Sequence, residues 1–235
     1  MKKLVLLLLP LLAITLMLGG NAFAQLSPGG NVGDDSIYFV TYFSNANTAG
    51  APDATLRIVN DGDFTGCDDT GTTKPKCLVD PSLGLYADIY VFDDSQEMRS
   101  CCACFVSADG LLSESVNKEL TSNEFTGRGE MTRGVIKVIS SDNPNPATPA
   151  PDTPEPGLRG WMTHVQATTT TFPAPGPSNP VNVVEKGPWF VTEDPLADSN
   201  LSETELSNLG TLCSYGLTIG SGYGYCPCTL EDYDF

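Results

Sequence analysis

Cysteine is the residue type in this chain best placed to do chemistry. Eight lie along its 235 residues: Cys67, Cys77, Cys101, Cys102, Cys104, Cys213, Cys226 and Cys228. Such residues pair as disulfides, ligate a soft metal or act as redox thiols. The run Cys101-Cys102-Ala103-Cys104 and the run Cys226-Pro227-Cys228 are not the C-x-x-C pairs typical of zinc. Neither is the C-x-x-C-H of a haem attachment. No histidine adjoins any cysteine, so structural disulfides are the expected chemistry. Eight cysteines admit about a hundred pairings, and sequence does not choose among them. Spacing gives a preference. Cys67 and Cys77 bracket a Gly/Thr/Pro loop. On extended strands, Cys102 and Cys104 would share a face, and so would Cys226 and Cys228. The middle cluster is therefore expected to bond to the last one. Such a long bridge stabilises by about 5 kcal/mol in the chain-entropy model.

Other reactive groups are sparse or scattered. His164 is the sole imidazole. A Ser/His/Asp hydrolase would have to use it. No G-x-S-x-G elbow accompanies it, and Gly220-Ser221-Gly222 lacks the spacing. Within a strand pattern, His164 reads as a surface or cross-strand residue. Glycoside hydrolysis needs two carboxylates flanking a cleft, and no pair stands out. Asp61, Asp63, Asp68 and Asp69 form the calcium candidate, since hard carboxylate oxygens in a loop suit that ion. Their spacing is not that of an EF-hand. Tyr223 and Tyr225, in a glycine-rich segment, could stack on sugar rings or simply punctuate a loop. Asn200-Leu201-Ser202 matches a glycosylation sequon.

Charge and targeting narrow the classes. Twelve basic and 29 acidic residues give a formal net charge of −17. That repels nucleic acid and anionic membrane surfaces. Residues 1–24 read as a cleavable secretion signal. Lys2 and Lys3 precede an apolar run, and Ala22-Phe23-Ala24 supplies small residues at a cleavage site before Gln25. The run is shorter than the roughly 20 residues that span a bilayer. No integral membrane segment is expected once it is removed. Its loss takes away two lysines and no acid, leaving a still more acidic chain for the exterior or the periplasm.

The elements that must position these groups are mainly strands. β-branched and aromatic runs occur at 36–43, 55–59, 83–92, 102–106, 135–139, 161–171 and 189–192. Gly, Pro, Asn and Asp punctuate them, the pattern of a sandwich or barrel. One helix is expected after Ser202. Ser202 and Glu205 form a capping box, Leu206, Leu209 and Cys213 recur on one face, and Gly216 supplies a stop. A second short helix is suggested over 113–120. Residues 142–157 carry six prolines and read as a semi-rigid surface loop inside a single domain.

The segment Ala87 to Asp94, then Gln96-Glu97-Met98, Cys101-Cys102-Ala103-Cys104 and Gly110-Leu111, resembles a group of uncharacterised secreted bacterial proteins. The resemblance returns at Glu205-Leu206, Cys213 and Gly220 to Cys226. It implies no catalytic residue. It does imply that the two distant cysteine clusters belong to one module. The expectation is a mainly β, sandwich-like, disulfide-stabilised domain with one C-terminal helix. Its expected role is structural or interactive and non-catalytic, open to self-association or to polysaccharide. A calcium-stabilised carbohydrate-binding module and a secreted hydrolase are the alternatives.

Overall fold

The computed structural model describes residues 36–60, 84–125, 130–150, 154–173 and 182–228. The secretion signal expected at 1–24 lies outside them. Nine strands occur among the described residues. They are β1 (Tyr38–Ser44), β2 (Thr55–Asn60), β3 (Leu85–Asp93), β4 (Met98–Val106), β5 (Leu111–Ser115), β6 (Arg133–Ser141), β7 (Leu158–Pro173), β8 (Asn182–Pro195) and β9 (Ala197–Asp198). A π-helical turn, Val116–Leu120, follows β5, and one α-helix, α1, spans Glu203–Ile219. Two antiparallel sheets result, β4-β3-β6-β1-β9 and β5-β2-β7-β8.

Strand alternation builds the sandwich. Leu85, Ala87, Ile89 and Val91 of β3 face inward and meet Leu56 and Ile58 of β2, Leu112 of β5 and Met162 of β7 in one core. Each large aliphatic side chain buried there contributes about 1.5–3 kcal/mol. The other face of β3 is also covered. Tyr90 and Phe92 join Tyr38, Cys101 and Ile139 beneath Leu206, Leu209 and Cys213 of α1. The protein therefore has three layers, with the five-stranded sheet in the middle.

The helix starts as expected, and its cap works differently. The Ser202 hydroxyl accepts the Glu205 N–H at 3.1 Å. The Glu205 carboxylate turns instead to Lys137 and to the Tyr38 hydroxyl. A cation and a phenol on the sheet win it from the backbone. The helix also runs past Gly216 and ends at Gly220, whose N–H donates to the Gly216 carbonyl at 2.8 Å. Glycine inside a helix costs only about 1 kcal/mol, which the flanking turns absorb. Over 113–120 the chain completes β5 before making its single π turn.

The proline-rich stretch links β6 of one sheet to β7 of the other. Its described residues 142–150 lie against the fold. Ser141 Oγ accepts the Asn143 N–H, Asn143 Oδ1 the Asn145 N–H, and Asn145 Oδ1 the Ala147 N–H, at 2.9–3.0 Å. These side-chain turns fold the segment down. The Pro146 carbonyl then accepts the Tyr90 hydroxyl at 3.0 Å, and Pro149 lies against Gly210 of α1.

That last contact makes two glycines in one helix respond oppositely to alanine. A Cβ on Gly210 would sit 2.3 Å from Pro149 Cδ, whereas one on Gly216 meets nothing within 4 Å. Gly216→Ala should raise stability by about 0.5–1 kcal/mol through helix propensity. Gly210→Ala should lower it despite the same gain. Urea denaturation of both variants checks this; equal and positive shifts would show that the contact carries no constraint.

Candidate functional site

The site with the most chemistry is the junction of β4, α1 and the C-terminal segment. Its base is β4, an edge strand whose alternation splits its cysteines between two faces. Cys101 points toward the helix and bonds Cys213, with Cα atoms 5.9 Å apart. Cys102 and Cys104 point into the sandwich and bond Cys226 and Cys228, with Cα separations of 5.3 and 5.4 Å. All cysteines among the described residues are paired. The segment reaching these bonds lies along the β4 edge: Cys101 N–H donates to the Gly224 carbonyl and Cys226 N–H to the Cys101 carbonyl.

The glycine-rich turn before it is tied down. Ser221, Gly222 and Gly224 take positive φ of 52°, 100° and 86°. Asn123 Nδ2 donates to the Gly222 and Tyr225 carbonyls at 2.8 and 3.0 Å, and its own carbonyl accepts the Gly224 N–H. Tyr223 and Tyr225 are held out on this turn, both about half exposed.

Ionisable groups near β4 are largely consumed in holding the fold. Arg99, 5% exposed, pairs with Asp93 at 3.1 Å and Glu124 at 3.2 Å, and donates to the Phe125 carbonyl at 2.9 Å. Burial works against the Asp93 carboxylate. The Glu97 N–H, Arg99 and the Ser95 N–H nevertheless hold its pKa below the ordinary value. Glu124 is pushed up by burial, with Arg99 opposing. On the helix side, hydrogen bonding to Lys137 holds Glu205 low.

Asp88 is the exception. It faces outward from β3, where alternation predicts solvent, yet it is only 1% exposed. Neither of its carboxylate oxygens has a hydrogen bond of normal geometry. Burial pushes its pKa up to about 8, with the nearby Asp142 adding to the rise and the Ser141 hydroxyl opposing it.

Asp61, Asp63, Asp68 and Asp69 lie outside the described residues, as do Cys67 and Cys77. Of the two positions expected for His164, it takes the cross-strand one, opposite Thr192 of β8, and it is buried rather than at the surface. Its ring stacks on Tyr42 with centroids 4.2 Å apart. Nε2 is 3.7 Å from Asp194 Oδ2, too far for a hydrogen bond, and Nδ1 has no partner. The Ser44 hydroxyl donates to the carbonyl of the adjoining Val165 at 2.6 Å. No nucleophile is presented to this imidazole by those contacts. A groove beside α1 is lined by Thr148, Ser207, Thr211, Ser214 and Tyr215. The Thr211 hydroxyl is already engaged with a helix carbonyl. Among the described residues, no helix is long and apolar enough to cross a membrane.

Comparison with protein-family models, characterised proteins and solved structures finds no match to this chain.

The two buried acid sites predict opposite mutational behaviour. Arg99→Met leaves the buried Asp93 and the partly buried Glu124 carboxylates without their cation and should cost about 3–5 kcal/mol; a loss below about 1 kcal/mol by urea denaturation would show the triad to be dispensable. Asp88 keeps its proton in the folded state up to about pH 8, whereas the unfolded chain releases it near pH 4. Its share of stability is complete below pH 4 and declines as pH rises toward 8, by on the order of a few kcal/mol. Asp88→Asn should therefore gain stability relative to wild type as pH rises from 5 to 8.5. An unchanged difference between the two proteins across that range would contradict the buried carboxyl.

Proposed function

We propose that this chain is an exported, non-catalytic structural or interaction protein of the bacterial exterior or periplasm. The observation that carries the reading is the set of bridges from β4 to α1 and the C-terminal segment. They span 112, 124 and 124 residues of sequence. Disulfides are kept in oxidising compartments and are rare where thiols stay reduced. The apolar N-terminal run with its small-residue cleavage site supports the same destination.

Support for a non-catalytic role comes from how the reactive groups are used. The imidazole is stacked and buried, Arg99 is tied to two carboxylates, and all described cysteines are bonded. The exposed apolar groups lie instead where a partner could meet them. Phe190 and Val191 are about half exposed on the edge strand β8, and Leu212, Tyr215 and Ile219 line one face of α1. An edge strand with free backbone groups and apolar side chains is suited to strand pairing.

Expression of the full chain in a bacterium with a periplasm tests this reading. The expected product begins at Gln25, fractionates outside the cytoplasm and shows no free thiol when unfolded without reductant. Retention in the cytoplasm with free thiols would overturn the destination. A hydrolytic activity lost in His164→Ala would overturn the non-catalytic reading.

The clamped turn favours one second reading, a polysaccharide-binding surface built on Tyr223 and Tyr225. Glycan-array binding with and without calcium distinguishes it. Binding abolished by Tyr223→Ala and Tyr225→Ala, with stability unchanged, would support it over a purely structural role.

A further inference from the structure

The two inward bridges of β4 lie side by side, and their sulfurs are unequally protected. Cys104 Sγ is 3.8 Å from Cys102 Sγ. The sulfurs of Cys102, Cys104 and Cys228 all lie within 4.8 Å of one another. Cys102, Cys104 and Cys226 have no exposed surface, whereas Cys228 is half-buried at the rim. Cys101–Cys213 is on the other face of the strand and belongs to a different cluster.

Disulfide exchange needs a thiolate to reach one sulfur and a leaving sulfur behind it. Access therefore singles out Cys228 as the first sulfur attacked, and the 3.8 Å contact singles out Cys102 as the second. We propose that Cys102–Cys226 and Cys104–Cys228 form a thiol-exchange relay. An external thiol converts these two cross-links into Cys102–Cys104 and Cys226–Cys228, releasing the C-terminal segment from β4.

The steps balance. The external thiolate attacks Cys228 Sγ, forming a mixed disulfide and expelling Cys104 as thiolate. Cys104 attacks the adjacent Cys102 Sγ, forming Cys102–Cys104 and expelling Cys226 as thiolate. Cys226 attacks Cys228 Sγ, closing Cys226–Cys228 and returning the external thiolate. Two disulfides enter and two leave. Nothing is oxidised or reduced overall, and the thiol acts as a catalyst. Same-face residues of an extended strand lie about 6.6 Å apart, too far between Cβ atoms for a disulfide, so closing Cys102–Cys104 bends β4 at Ala103 and closing Cys226–Cys228 bends the segment at Pro227. The consequence is mechanical. The segment stays beside β4 through backbone hydrogen bonds and side-chain packing alone, while Cys101–Cys213 still holds α1.

The experiment uses the oxidised full-length mature protein, treated near pH 8 with less than one equivalent of glutathione. Samples are quenched with acid, alkylated, and digested with chymotrypsin without reduction. Cleavage after Tyr225 separates the segment holding Cys226 and Cys228. At the start it is cross-linked to the β4 peptide. The expected result is its appearance as a free peptide, lighter than its dithiol form by the two thiol hydrogens, with Cys101–Cys213 intact. A mixed disulfide at Cys228 that never yields this peptide would overturn the relay. So would complete inertness to thiol, or opening of Cys101–Cys213 at the same rate. Cys228→Ser isolates the middle step, because Cys104 then starts as the thiol. Alkylation should appear at Cys226; alkylation confined to Cys104 would refute the transfer between neighbouring sulfurs.

Discussion

Everything in this fold hangs from one strand whose two faces are covalently tied to different things. The β-pleat turns successive residues to opposite sides. Two adjacent cysteines followed by a third two residues on thus become one anchor toward the helix and two toward the core. Cys101 fixes α1 on the outer face. Cys102 and Cys104 fix the C-terminal segment against the inner one. A strand at a sheet edge is where a fold is most open to invasion by other chains. Here that edge is closed by the tethered segment, and the layer above it is bolted down.

The bolted layer explains the rest of the outer face. Once α1 and the proline-rich segment lie over β3, positions that would be wet in a two-layer sandwich become dry. Tyr90 solves this by donating its hydroxyl to the Pro146 carbonyl. Tyr38 uses Glu205, and burial together with that carboxylate raises its pKa well above the ordinary value. At Asp88 the Ser141 hydroxyl only partly offsets burial, and the carboxyl holds its proton up to about pH 8. Three polar side chains on one face thus meet burial in different ways, according to which neighbour the covering layer brings.

Much of the sandwich was legible in the sequence, because alternation and turn residues act locally. The runs at 55–59 and 135–139 lie inside β2 and β6, extended by only a few residues. The bonding of Cys102 and Cys104 to Cys226 and Cys228 followed from shared faces. What escaped the sequence depends on contacts distant in the chain. Cys213 could be placed on a buried helix face, but its partner required knowing that β4 lies beneath that helix. Ser113–Ser115 fell within the short helix suggested over 113–120, and pairing with β2 makes them part of a strand. β9 has two residues, too few to carry a pattern. The burial of Asp88 escapes the sequence because alternation reports which side of a strand a residue takes, not whether another layer covers that side.

The charge balance acquires structural meaning once the buried pairs are known. With 29 acids and 12 bases, the chain cannot pair most of its carboxylates. Burying an unpaired carboxylate costs far more than leaving it in water. The fold therefore spends some of its few cations where burial makes them most needed. Arg99 sits 5% exposed between Asp93 and Glu124, and Lys137 lies partly buried beside Glu205 and over the Phe92 ring. Surface acids go largely to water, where they repel one another and any like-charged neighbour. An association between copies would consequently have to use uncharged surface. The stretch from Gly160 to Val184 contains no Asp, Glu, Lys or Arg, and it includes most of β7. Uncharged apolar surface of that kind is exposed at Phe190 and Val191 on the β8 edge and at Leu212, Tyr215 and Ile219 on α1.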